Sequence, residues 1–66
     1  MTKIYMVMQR GEWFFTGTLE EARDLVDPEG GGVYECRLVA PRTKRTVVDA
    51  ANGRFDEVVL VWSPAV

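Results

Sequence analysis

The sequence predicts a small α+β domain built on a mostly antiparallel sheet, and two patterns carry that prediction. Residues 3–9 and 57–62 are rich in β-branched, aromatic and other large apolar side chains, which is typical of strands. Residues 18–21, Thr-Leu-Glu-Glu, match the capping box that begins a helix. The predicted element order is β-β-α-β-(β)-β in a single domain of residues 1–66, with one short helix packed on one face of the sheet.

The first two strands are predicted to form a hairpin. Residues 3–9 make the first strand, Arg10 and Gly11 make the turn, and residues 12–16 make the return strand. Glycine adopts the positive backbone angles that tight turns between strands require.

The predicted helix follows directly. Thr18 should accept a hydrogen bond from the backbone N–H of Glu21, whose carboxylate should reach back to the N–H of Thr18. Pro28 disfavours the helical conformation for Asp27, so the helix should end by that residue. A helix this short is marginal alone, so it must pack on the sheet.

The second half of the chain is predicted to complete the sheet. Residues 28–32 read as a loop and residues 33–40 as a strand, which Pro41 ends. Residues 46–48 are predicted as a short strand, with a helical turn at residues 48–52 as the alternative. Residues 57–62 form the last strand.

Composition narrows the classes of function. A chain of 66 residues has a core that supplies no more than about 3–5 kcal/mol of stability, so small domains often add a staple or a partner. Cys36 is the only cysteine and histidine is absent, which predicts no disulfide within the chain, no metal site and no cofactor. Cys36 itself is predicted to lie in the core. The apolar run after Lys3 is too short for a membrane span or a signal peptide, which predicts a cytoplasmic protein.

Large apolar side chains occupy both faces of the predicted strands. A strand that is apolar on both sides needs cover on both sides, and one short helix covers only part of one face. Either the sheet curls toward a small barrel, or the face away from the helix binds a partner. The sequence favours a partner surface, with Tyr5, Trp13, Phe15 and Trp62 as apolar anchors.

Five of the eight basic residues lie in the segment 37–54. Three of them, Arg42, Lys44 and Arg45, are predicted to steer association from the rim of the partner surface. The same segment could contact phosphates, so a nucleic-acid-binding module is one alternative. A homodimer closed by the apolar face is the other. No catalytic residues are predicted, because the chain has no histidine to act as a base for its single thiol. The net charge of −2 disfavours generic nucleic-acid binding.

The N-terminal part also resembles a group of known proteins. The pieces that match are Lys3-Ile4-Tyr5 in the first strand and Thr18, Glu21 and Ala22 at the start of the helix. Over residues 3–26 the chain is similar to small proteins of bacteriophages and related mobile elements. The resemblance implies a non-enzymatic module that binds and inhibits or modulates a bacterial host protein in the host cytoplasm.

Overall fold

A computed structural model describes residues 1–64 and shows the predicted α+β fold, a four-stranded antiparallel sheet with two helices. The element bounds, in chain order, are β1 Thr2–Gln9, β2 Glu12–Thr16, α1 Leu19–Leu25, β3 Gly32–Leu38, α2 Lys44–Ala51 and β4 Glu57–Trp62. The strand order across the sheet is β2-β1-β3-β4, so β2 and β4 are the two edges. The fold class is therefore confirmed, and the element order differs at one place.

The hairpin of β1 and β2 forms as predicted. Gln9 pairs with Glu12, which leaves a turn of two residues between the strands. Arg10 has a φ of 46° and Gly11 a φ of 79°, as a hairpin turn with two left-handed residues requires. The Arg10 side chain also holds the turn, because its Nε atom lies 2.8 Å from Asp27 Oδ2 in the loop after α1.

Helix α1 begins at its predicted cap. The Thr18 hydroxyl accepts a hydrogen bond from the backbone N–H of Glu21 at 3.2 Å. The Glu21 carboxylate interacts with the Thr18 hydroxyl at 3.2 Å instead of returning to the Thr18 backbone N–H, so this part of the predicted capping box does not form. The helix ends at Leu25, and the cap residue Val26 has extended backbone angles ahead of Pro28.

The segment predicted as a short strand at residues 46–48 is part of helix α2, so that prediction is wrong. Thr43 caps this helix, accepting from the backbone N–H of Thr46 at 3.1 Å while the Thr46 hydroxyl accepts from the N–H of Thr43 at 2.8 Å. The alternative prediction, a helical turn at residues 48–52, gave the right type of element but placed its start later than the start of α2. The helix ends at Ala51 with Asn52 as its cap, and Gly53, which follows, has a φ of 89°.

The two helices lie on opposite faces of the sheet. Val7 packs with α1 residues in one buried cluster, and Ile4 packs with α2 residues in a second. Positions 4 and 7 point to opposite faces because successive side chains alternate along a strand. The prediction of one helix covering one face is thus corrected: the sheet is neither curled into a barrel nor bare on its second face. We name the two sides the α1 face and the α2 face.

Strand β4 lies outside this cover. It pairs with β3 alone. The first pair is Glu57 with Arg37 and the last is Trp62 with Val33, and the register shifts just before this last pair. Trp62 packs on the α1 cluster. The four residues before it, 58–61, are 37–53% exposed, and among the described residues they belong to neither buried cluster.

Candidate functional site

The four predicted anchors divide between the two faces. Trp13 pairs with Met8 and Phe15 pairs with Met6, so both aromatic rings lie on the α2 face. Tyr5 and Trp62 instead pack against the α1 cluster. The structure therefore brings together two of the four predicted anchors, and the other two belong to a different surface.

Trp13 is the most exposed of the aromatic anchors. It is 58% exposed, and its ring meets that of Phe15 edge-on, with centroids 5.5 Å apart and an angle of 82° between the planes. Edge-to-face stacking holds the Trp13 ring in one orientation without burying it. An exposed but oriented tryptophan is typical of the anchor residues of protein interfaces.

A groove of about 340 Å³ runs beside this pair, which we call the Trp13 groove. Its floor is the α2 face of β1 and β2, and its far wall is the end of α2 and the segment after it. The residues that line it are Met6, Met8, Trp13, Phe15, Ala51, Asn52, Gly53 and Phe55. The groove is open and mostly apolar, so it has the size and chemistry to receive an apolar side chain.

A second groove lies on the other side of Met8, at the hairpin end of the sheet. Gly32 forms part of its floor because it has no side chain, and Tyr34 and Leu60 form a wall. A Cβ atom placed on Gly32 would lie 3.4 Å from the Leu60 Cδ1 atom. Met8 is 41% exposed between the two grooves, and methionine side chains adapt easily to different partner shapes.

The predicted rim charges are the basic residues that have neither an ion pair nor an aromatic partner within the described part of the chain. Lys3, Arg10, Arg37 and Arg54 each lie within 4.0 Å of a carboxylate, and Arg23 stacks on Trp62. The three that remain are Arg42, Lys44 and Arg45. Arg42 donates a hydrogen bond to the Lys3 carbonyl at 2.7 Å, while Lys44 and Arg45 are exposed in the first turn of α2.

The basic residues and the Trp13 groove lie at opposite ends of one helix. Lys44 starts α2 and Ala51 ends it at the groove. Eight residues of helix span about 12 Å, so the two features fit within one ordinary interface. Val48 lies between them and is 56% exposed.

Tyr5 has a structural role on the α1 face. Its hydroxyl donates to Glu35 Oε2 at 3.1 Å, and Arg37 Nε donates to Glu35 Oε1 at 2.5 Å. These bonds, led by that from Arg37, hold the pKa of Glu35 below its ordinary value. Burial and the Glu35 bond raise the pKa of Tyr5. Tyr5 thus satisfies a buried carboxylate, which explains its position without a partner.

Trp62 is also explained by the fold. It packs against the α1 cluster, and the Arg23 guanidinium lies 5.1 Å from the centre of its ring. A guanidinium at this distance from an indole is a cation–π pair. The pair joins β4 to α1 and leaves Trp62 half-buried.

Two observations on residues 1–64 concern the cysteine and the possible metal ligands. Cys36 is fully buried, and burial raises the pKa of its thiol, which disfavours the nucleophilic thiolate. Over the same residues no cluster of three potential metal ligands occurs. Nor does the described chain contain a helix long and apolar enough to cross a membrane.

Comparison with known proteins adds no assignment: no family model, curated protein or solved structure matches the chain.

Sequence reasoning missed several exposed residues of the grooves and of the β4 edge. Met8, Leu60 and the valines of β4 look like core residues in the sequence, because alternation cannot say which strand lies at an edge. One signal was present. Residues 58–62 are five consecutive apolar side chains, so both faces of this strand are apolar and both need cover.

Proposed function

We propose that the protein is a non-enzymatic interaction module that binds a protein partner through its α2 face. The observation that carries this proposal is that the exposed Trp13 groove lies at the end of α2 while Lys44 and Arg45 lie at its start, with Arg42 just before the helix. An apolar side chain of the partner enters the groove, and acidic residues about 12 Å away face Lys44 and Arg45. The partner is therefore a protein with an acidic surface around an apolar side chain.

The resemblance of residues 3–26 to phage proteins supports a bacterial host protein as that partner. A phage-type protein of this size acts stoichiometrically, by occupying a surface of its target, and so requires no catalytic group. The expected site of action is the host cytoplasm. Tyr5 and Trp62, which complete the fold, are left out of the proposed surface.

The test is a binding measurement with purified candidates taken from a host lysate by affinity capture. Trp13→Ala should weaken binding of the captured protein by about 30-fold, because a central tryptophan contributes about 2 kcal/mol or more. The double variant Lys44→Glu with Arg45→Glu should slow association and remove most of the salt dependence. Val39→Ala is the matched control, since Val39 is 74% exposed and lies outside the α2 face. Full binding by both α2-face variants would contradict the proposal.

Nucleic-acid binding is the second candidate, and the same three unpaired basic residues favour it. It predicts that a fluorescent DNA or RNA oligonucleotide binds at low salt and dissociates steeply as salt is added. Under this alternative Trp13→Ala should have little effect while the double charge reversal abolishes binding. The absence of any binding at low ionic strength would remove this candidate.

A further inference from the structure

Within residues 1–64 no strand pairs with the outer edge of β4, and the proposed function does not use this edge. An edge strand presents a row of unpaired backbone N–H and C=O groups to solvent. Natural edges are protected by charges, prolines, bulges or a covering element. From Val58 to Trp62 β4 carries neither a charge nor a proline. Its register shift lies only near the end, beside Val33 and Tyr34, which leaves the preceding stretch regular.

The other edge of the sheet is protected. Strand β2 has five residues, begins with Glu12, and packs against α1. The cation Arg42 approaches the residue that follows it, with a guanidinium nitrogen 4.0 Å from a Cβ atom placed on Gly17. The two edges thus differ in the features that prevent strand pairing, and β4 is the one left open.

We propose that two copies of the chain pair through β4, antiparallel, to form a continuous eight-stranded sheet. A two-fold axis perpendicular to the sheet places the α1 faces of both copies on the same side of the joint sheet. Two residues that pair across the axis must therefore point to the same face. An axis at Val59 meets this condition and uses the regular part of the strand. Val59 then faces Val59 of the partner subunit, and Val58 faces Leu60 of the partner subunit.

This register leaves no charge without a partner. Glu57 is the one charged residue of β4, and it already forms an ion pair with Arg37 of its own chain. In the proposed pair it faces Val61 of the partner subunit, so neither a like charge nor an isolated charge is buried. An axis at Leu60 would instead oppose Val58 to Trp62, which lie on different faces because of the register shift.

The size of the domain favours a second copy as the occupant. Among residues 1–64, the buried apolar residues number seven, of which two are alanines, while ten large apolar residues are more than a third exposed. Domains this small commonly gain stability from oligomerisation, and a second copy is always present. One strand pair covers less than the roughly 800 Å² per partner of a standard interface, so we expect dissociation in the micromolar range.

The dimer also has a consequence for partner binding, and this consequence rests on the proposed function. A perpendicular two-fold axis places both Trp13 grooves on the same side of the eight-stranded sheet. A partner with two sites would then bind with higher avidity than one groove provides.

The test is sedimentation of the full chain from low micromolar to several hundred micromolar. The expected mass rises toward twice the 7.5 kDa of one chain. Val59→Lys should keep the protein monomeric over that range, because it places two ammonium groups at the axis. Val39→Lys, at an exposed position outside β4, should behave as the wild type. A monomer at every concentration, or a dimer lost in Trp13→Ala and kept in Val59→Lys, would overturn the proposal.

A cross-linking measurement fixes the register and does not depend on how Val59→Lys folds. Val59→Cys should form a covalent dimer under mild oxidation, whereas Val39→Cys should not, and the buried Cys36 should contribute nothing. Equal cross-linking by the two variants would refute pairing at Val59. Because Trp13 lies outside the β4 contact, Trp13→Ala should still cross-link in the Val59→Cys background even if it no longer binds a partner.

Discussion

Glu35 is the residue on which the α1 face depends most. Its side chain is 12% exposed between Lys3 and Arg37, and it accepts hydrogen bonds from Arg37 and Tyr5. A buried carboxylate with several donors stabilises the fold only while it is ionised. Two of its partners, Lys3 and Tyr5, lie in the neighbouring strand β1, and the third, Arg37, lies two residues further along β3 itself.

Glu35→Gln should lower the free energy of unfolding at pH 7 by about 1–3 kcal/mol, because the amide cannot reproduce the charge-assisted bond from Arg37. The pKa of Glu35 is lowered in the folded state, chiefly by Arg37. The stability that this provides is present above the ordinary pKa of 4.5 and is lost as the pH falls through the lowered value. Urea denaturation of both proteins at pH 7 and at pH 2.5 measures the difference, which should shrink toward zero in acid.

The control for this prediction is Glu57→Gln. Glu57 also pairs with Arg37, but its side chain is 56% exposed, so its loss should cost less than about 1 kcal/mol. A Glu35→Gln penalty that is unchanged at pH 2.5 would mean that the carboxylate acts through packing rather than charge.

At the scale of elements, the junction between α1 and β3 is packed so closely that Gly31 has no room for a side chain. Gly31 is buried, and a Cβ atom there would lie 2.3 Å from Val26 Cγ2 and 3.1 Å from the Asp27 carbonyl oxygen. The Asp27 carbonyl also accepts the Gly31 backbone N–H at 3.0 Å. The three consecutive glycines look like a flexible loop in the sequence, yet the second of them allows α1 to pack against the start of β3.

Gly31→Ala should therefore lower the free energy of unfolding by about 1–3 kcal/mol, because the methyl group must displace Val26 or the backbone. Gly30→Ala is the matched control, since nothing lies within 4 Å of its Cβ position. That variant should be neutral or more stable by up to about 1 kcal/mol. Equal stabilities of the two variants in urea denaturation would show that the junction relaxes freely.

The elements that could be predicted from the sequence have strong local signals. The turn at Arg10-Gly11 and the helix start at Thr18 are set by a few adjacent residues. The turn forms as predicted, and the Thr18 hydroxyl caps the helix although the return bond from Glu21 does not form. Helix α2 was missed because Thr46, Val47 and Val48 favour strands by intrinsic preference. Tertiary contacts reverse that preference: Val47 packs on the cluster around Ile4, and the Thr46 hydroxyl interacts with that of Thr2 at 3.0 Å.

At the scale of the whole molecule, the missing helix explains why the candidate site was only half predicted. Without α2 the sequence offered one covered and one bare face, and all four aromatic anchors were assigned to the bare one. With α2 in place the second face has a covered end and an open end, and Trp13 lies at the open end. Strand order, which makes β4 an edge, depends on contacts between distant segments that no local pattern encodes.

The reactivity of the Cys36 thiol measures how cooperatively the sheet and α2 are held together. It is fully buried in the cluster that joins β1, β3 and α2, so reagents reach its thiol only when the sheet opens or α2 detaches. We expect the thiol to react with a disulfide reagent at least 100-fold more slowly in the native protein than in the denatured chain, measured at the same pH. Its raised pKa slows the native reaction further, so the comparison should be repeated at several pH values.

The denaturant dependence of that rate distinguishes the two routes of exposure. If the whole domain opens, the logarithm of the reaction rate of the thiol should rise linearly with the urea concentration. Its slope should equal the slope found for equilibrium unfolding. If α2 detaches alone, the slope should be much smaller, because less surface becomes exposed. We expect the larger slope, since Cys36 also lies between Ile4 and Val58 in the centre of the sheet. A rate that hardly depends on urea would show instead that α2 is a separate, weakly attached unit, and the Trp13 groove would then open and close with it.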